Sequence, residues 1–199
     1  MIDELDLSLE TLLRRELPPS IVDQITISFA TPDDQFPPAG VVLPAIDLFL
    51  YDVRENRELR TNEWVTQRTS SGNVTRSRPP VRVDCSYLIS AWPSDATFNP
   101  AQDEHRLLGE VMKTLLRFET LPEDVLQGSL PGQSPPLPTA VLQPGRLQSV
   151  GEFWQALGGK PKAVLNYTVT FSVDPFEQVE VPLVLENIVR PPDAEGGNP

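Results

Sequence analysis

Asp47, Asp52, Asp84, His105 and Cys85 are the side chains of this sequence that could carry chemistry, and their spacing decides what they can do. Asp47, Asp52 and Asp84 fall in stretches of strand character, where paired carboxylates can act as acid and base or hold a metal through oxygen. Asp47 and Asp84 stand out of phase with Ile46/Leu48 and Val83/Cys85, so the alternation turns them toward solvent or toward an arginine such as Arg82. His105 is the single histidine. It lies about a turn into an amphipathic helical stretch, between Glu104 and Arg106, and reads as a helix-surface residue. Cys85, the single cysteine, reads as a small buried hydrophobe in mid-strand and cannot close an intramolecular disulfide, which fits a reducing compartment. Catalysis would require Asp47, Asp84 and His105 to converge in one cleft. The sequence has no metal-knuckle spacing, no phosphate-binding glycine loop with lysine and no nucleophile-elbow serine, so it predicts no enzyme, no cofactor and no metal site.

The arginines are more suggestive. Arg54, Arg57, Arg60, Arg68, Arg76, Arg78 and Arg82 gather around two loops of a chain that holds 28 acidic against 16 basic residues, a net charge of -12. Such a set is either a solvated loop or an interface that meets an acidic neighbour or another copy of the chain. Arg54, Arg57, Arg60, Arg78 and Arg82 are therefore candidate interface residues. Net acidity repels phosphate backbones, so a protein partner is expected rather than nucleic acid.

Two long strands must position these residues: Ala45–Val53, which runs into the charged loop from Arg54 to Arg60, and Val81–Trp92, introduced by Arg78-Pro79-Pro80. Between them, 62–78 reads as a hairpin around Ser70-Ser71-Gly72-Asn73; it is polar on both faces and so is expected to project from the body. Upstream, Asp3 is placed to cap a helix to about Leu17 with Leu5, Leu9, Leu12, Leu13 and Leu17 as its apolar stripe, and Ile25, Ile27 and Phe29 mark a short strand. Asn99-Pro100 opens a second helix to about Glu119, with Leu107, Leu108, Val111, Met112, Leu115 and Leu116 on one side. A short helical turn is expected near Pro122–Leu126 and a short strand from Leu137 to Leu142. Ser149 and Glu152 form a capping box for a third helix, ended by Gly158-Gly159, with Phe153, Trp154 and Leu157 inward.

The cleanest alternation lies in Ala163–Val173, which sets Leu165, Tyr167, Val169, Phe171 and Val173 inward and leaves Asn166, Thr168, Thr170 and Ser172 on a wet face. Gln178–Arg190 reads as extended through Val179, Val181, Leu183 and Leu185, and Pro182 makes it an edge strand with those four as candidate interface residues. Chain length and the absence of repeats give one α+β domain over residues 1–190, a mixed, mostly antiparallel sheet with helices packed on it, followed by a disordered tail over 191–199. Many of the 22 prolines stand in pairs between elements, where they stiffen the connections. No apolar run approaches the roughly 18 residues of a membrane span, and the acidic start is unlike a secretory signal, so the chain is expected to be cytoplasmic without membrane insertion.

Four blocks in order, Ile46–Asn56, Arg78–Trp92, Glu104–Val111 and Glu152–Gly159, resemble the N-terminal domain of the cap, or tail-terminator, proteins of extracellular contractile injection systems. The resemblance runs from about Ile2 to Arg190. It implies a tail-terminator-like α+β fold without cofactor and a homohexameric ring that ends an inner tube and its contractile sheath, with the chain itself, the tube protein and the sheath protein as partners. Assembly would take place in the bacterial cytoplasm, and the ring would then remain part of the particle. The competing expectation is a small-ligand-binding or regulatory α+β domain that uses the wet face of the sheet as its pocket.

Overall fold

The computed structural model describes residues 1–61, 63–68, 74–143, 149–176 and 179–181. In chain order the elements are helices α1 (Ile2–Glu16) and α2 (Pro19–Val22), strands β1 (Thr26–Ser28), β2 (Ala45–Glu55), β3 (Val65–Arg68), β4 (Val74–Ser77) and β5 (Val81–Trp92), helix α3 (Pro100–Leu115), a 3-10 turn at Glu123–Val125, strand β6 (Thr139–Val141), helix α4 (Val150–Ala156), and strands β7 (Val164–Val173) and β8 (Val179–Val181). They fall into two compact units, one of Met1–Arg60 with Val81–Val173, the other of Thr61–Pro80 with Asp174–Pro199.

The first unit is built on a five-stranded sheet in the order β1-β2-β5-β7-β6, parallel between β1 and β2 and antiparallel elsewhere, so the expected mixed, mostly antiparallel α+β fold is present. Alternation assigns its faces. Cys85, Tyr87, Ile89 and Ala91 of β5, Ile46 and Leu48 of β2, and Leu165, Tyr167, Val169 and Phe171 of β7 point to one side, where they meet Leu5, Leu9, Leu12 and Leu13 of α1 and Leu107, Leu108, Val111 and Leu115 of α3 in one buried cluster. Each fully buried leucine contributes about 1.5–3 kcal/mol relative to exposure. Burial pushes the Cys85 thiol up to about 12, so it is an unreactive core residue as expected. Tyr87 Oη donates to Asp6 at 2.7 Å, a polar tie between α1 and the sheet centre, and burial raises the Asp6 carboxyl above its ordinary range.

Helix ends differ slightly from expectation. Met1, not Asp3, is the N-cap of α1; Asp3 lies in the first turn and accepts from the terminal ammonium at 2.7 Å. The second long helix, α3, stops at Leu115 rather than near Glu119. Ser149 caps α4 by accepting from Glu152 N at 3.2 Å, and Gly158, with φ of +70°, supplies the left-handed residue that ends it.

A smaller layer covers part of the opposite face. Phe153 of α4 lies 5.9 Å from Phe49, Phe36 stacks on Trp92 at 4.2 Å, and Trp154 is wholly buried. Gly159 packs closely there: a Cβ would stand 3.1 Å from the Trp154 ring, tighter than an ordinary contact, so a side chain would have to shift the ring by a few tenths of an ångström.

The second unit holds a three-stranded sheet, β3-β4-β8, antiparallel throughout. Its β3–β4 pair is the expected hairpin, in register from Val65 opposite Ser77 to Arg68 opposite Val74. The hairpin turn at Ser70–Asn73, Pro182, and the expected tail at 191–199 lie outside the described residues.

Candidate protein-interaction surface

The candidate arginines of the first unit differ in how far their charges are already paired. Arg54, at the end of β2, gives Nε and Nη2 to the two oxygens of Asp52 at 2.5 and 2.6 Å, and Arg60 lies 3.5 Å from Glu55. These are exposed pairs whose strength is small, but they do neutralise the loop locally. Arg57 is exposed and has no ion partner among the described residues, so it is the arginine whose charge is most available to another molecule. Arg78 belongs to the second unit, where its guanidinium lies 5.7 Å from the Trp64 ring and 5.3 Å from that of Phe176, a cation between aromatic faces. Val179 and Val181 form β8 against β4; Leu183 and Leu185 lie outside the described residues.

Arg82 departs from expectation. It is the second residue of β5, on the face opposite α1 and α3, and is only 6% exposed, with Nη1 donating to Ser172 Oγ at 2.6 Å and with Nε and Nη2 buried and unpaired. Burial holds its guanidinium below its ordinary pKa, partly offset by Asp84. As a buried residue it is not presented to a partner.

The expected wet face of the sheet is likewise closed in its middle. Asp84 and Thr170, cross-strand partners, are both buried: Thr170 Oγ1 donates to Asp84 Oδ1 at 2.6 Å, and Asn56 Nδ2 reaches both Asp84 oxygens at 3.1 and 3.2 Å. Ser86 and Thr168 share a bond of 3.2 Å beside them. Asp84 is therefore held by neutral donors and not, as the alternation suggested, by solvent or Arg82. The network joins the loop after β2 to β5 and β7, and so fixes where Arg54–Arg60 leave the sheet.

Asp47 also differs from the solvent-facing expectation. It is fully buried; Oδ1 accepts from Ala30 N at 3.1 Å, Oδ2 has no partner, and burial pushes the carboxyl up to about 7 against the lowering effect of its bonds to Ser28 and Ala30. Asp47 stands opposite Ser90, six residues along β5 from Asp84, a separation of roughly 20 Å. His105 is exposed on α3. The three do not converge, and among the described residues no cluster of histidine, cysteine and carboxylate could hold a metal.

A cavity of about 210 Å³ lies between α2, the start of β2 and the first turns of α3, lined in part by Ser20, Gln24, Pro44, Pro93, Asp103 and Arg106. It is smaller than the roughly 300–1,000 Å³ of a drug-sized ligand site, and its charged groups, Asp103 and Arg106, are 3.4 Å apart and answer each other. No helix among the described residues is long and apolar enough to cross a membrane.

Two features had no legible signal. Gln133, in a loop of Gly, Pro and Ser, uses its carboxamide as a strand would: Ser172 N donates to Oε1 at 2.7 Å and Nε2 donates to Ser172 O at 3.1 Å. Gln133→Ala should cost about 1–2 kcal/mol in chemical unfolding by leaving two backbone groups of β7 unpaired; an unchanged midpoint would mean that water replaces them fully. Phe98 is fully exposed beside the N-terminus of α3, an isolated apolar side chain on the surface.

Residues 4–186 match the model of the Pvc16 N-terminal domain, and the chain belongs to that family. It is similar in structure to the sheath/tube terminator of the extracellular contractile injection system PVC in its extended state, with 25% identity and a TM-score of 0.65 over 98% of this chain. It is similar also to the tube-terminating cap of the anti-feeding prophage, with 26% identity and a TM-score of 0.64 over 96% of this chain. The match spans 65% and 61% of those two chains, less than two thirds of either. No curated protein matches the sequence.

Proposed function

We propose that this chain is a structural cap of a contractile injection system: copies of it close into a ring, six by the family resemblance, on the finished end of the inner tube and sheath and stop further addition. The observation that carries the reading is the match of nearly the whole chain to a sheath/tube terminator, together with membership of the Pvc16 N-terminal domain family. A terminator must bind a polymer end as an incoming subunit would and offer no equivalent surface on its far side. An acidic chain carrying distinct strand margins in each of two units suits that task. Tube and sheath proteins are its partners, its role is non-catalytic, and assembly takes place in the cytoplasm before the particle is complete.

Imaging particles from cells that lack the chain tests this: tubes and sheaths of uncontrolled length are expected, and particles of unchanged, uniform length would contradict it. The small-ligand alternative predicts a stable monomer; a concentration-dependent oligomer by light scattering counts against it. Within the ring, Arg57→Glu should weaken association of copies by roughly tenfold, the scale of a desolvated charge contact turned repulsive, while leaving the unfolding midpoint unchanged. Ring assembly unaffected by charge reversal at both Arg57 and Arg60 would remove the loop from the interface.

A further inference from the structure

Asp47 stands at the root of a cover on the sheet face opposite α1 and α3. Its carboxyl is fully buried and its Oδ2 has no hydrogen-bond partner, while Oδ1 accepts from Ala30 N, the amide that leads the chain out of β1 and also lies 3.2 Å from Ser28 Oγ. From Ala30 the chain crosses that face: Pro32 is buried, Asp34 N donates to Leu157 O at 3.2 Å, and Phe36 stacks on Trp92. The end of α4 joins it there. A Cβ on Gly158 would stand 3.5 Å from the Asp34 side chain, and one on Gly159 would stand 3.7 Å from the Pro32 carbonyl, so the two segments pack on each other as one layer. That layer meets the sheet at Asp47, through Phe36 on Trp92, and through Phe153 beside Phe49. Trp154 Nε1 within it is a second buried polar atom without a partner.

We propose that residues 30–36 and α4 open from the sheet as a unit when Asp47 loses its proton, baring Phe49 and Trp92 while the core on the opposite face stays closed. A buried carboxylate with one oxygen unpaired is costly unless a cation answers it. None does among the described residues. β1 and the facing stretch of β5, Ser90–Trp92, carry no ionisable group; the cover carries Asp33 and Asp34, which would repel a new negative charge. Glu152 of α4 is an exposed acid, Lys160 beyond it is exposed, and Lys162, 4.5 Å over the Trp92 ring, is bound to Glu104. Burial therefore sets the balance and keeps the carboxyl protonated up to about 7, against the bonds from Ser28 and Ala30. Opening brings water to Asp47 Oδ2 and to Trp154 Nε1, the two groups that the closed form leaves unpaired. The apolar burial of Trp154, Phe36 and Phe153 opposes it, so the cover is shut while the proton is held.

Hydrogen exchange of the full chain between pH 5 and 8, with rates corrected for the intrinsic pH dependence of exchange, tests this device. An open form that releases the Asp47 proton gains population as pH rises, so protection of the Ala30 and Asp34 amides should fall by roughly tenfold per pH unit up to about 7 and then level off. The amides of Tyr167 and Val169, in the ladder with β5, should remain at least roughly tenfold better protected throughout, because the cover opens without the sheet. Asp47→Asn keeps an oxygen for Ala30 N and should make the protection of Ala30 and Asp34 independent of pH. Protection at Ala30 and Asp34 equal to that at Tyr167 and Val169 would overturn the proposal, since the layer would then leave only when the whole unit unfolds. Protection that does not change with pH in the parent, or that falls as steeply in Asp47→Asn, overturns it as well.

Discussion

Trp154→Ala should destabilise the first unit by about 3–5 kcal/mol, the cost of emptying a fully enclosed tryptophan site. Trp154 has no exposed surface; the Phe153 ring meets it edge-on at 5.5 Å, and its carbonyl accepts from Gly159 N at 3.0 Å. Helix α4 has only seven residues, too few to persist by itself, so it depends on packing, with Trp154 enclosed and Phe153 set against Phe49 of the sheet. Its loss should also free Phe153 from Phe49 and open that end of the sheet face. Urea unfolding followed by circular dichroism measures the effect. A loss below about 1 kcal/mol would mean that the layer is held by the stacking of Phe36 on Trp92 alone, at the low end of what such a ring pair supplies.

The second large effect concerns Asp47. An aspartate ordinarily releases its proton near 3.8, whereas in the folded chain burial raises this carboxyl to about 7. Between those values the folded form binds the proton and the unfolded form does not, so stability falls as pH rises through the window and levels off above about 7. Three units correspond to on the order of 4 kcal/mol. Asp47→Asn keeps an oxygen for Ala30 N and removes the charge, so the variant should lose this slope and exceed the parent in stability above neutrality. Asp6, also raised by burial, slopes in the same sense and remains in both proteins, so the difference between the two curves isolates Asp47. Parallel curves for parent and variant would show that the Asp47 carboxylate is solvated.

The core was legible because its periods are clean. The stripe Leu5, Leu9, Leu12, Leu13 and Leu17, and the alternation Leu165, Tyr167, Val169 and Phe171, needed only the repeats of helix and strand. The cap at Ser149 was legible for the same local reason. Asp47, Asp84 and Arg82 were misread because alternation tells which face a side chain takes and not whether a second layer covers that face. Near Asp47 that layer comes from the segment before β2 and from α4, whereas Asp84 and Arg82 are closed in by Asn56, Thr170 and Ser172, residues far apart in the chain. The pairing of Arg54 with Asp52 follows from the same alternation, which puts residues i and i+2 of a strand on one face.

The central claim is that this chain sits at one end of a polymer and nowhere else. Electron microscopy of complete particles carrying a labelled copy of the chain tests it most directly. The account predicts label as a single ring at one end of every tube and sheath; label spread along the length, or particles that mature without any, would contradict it.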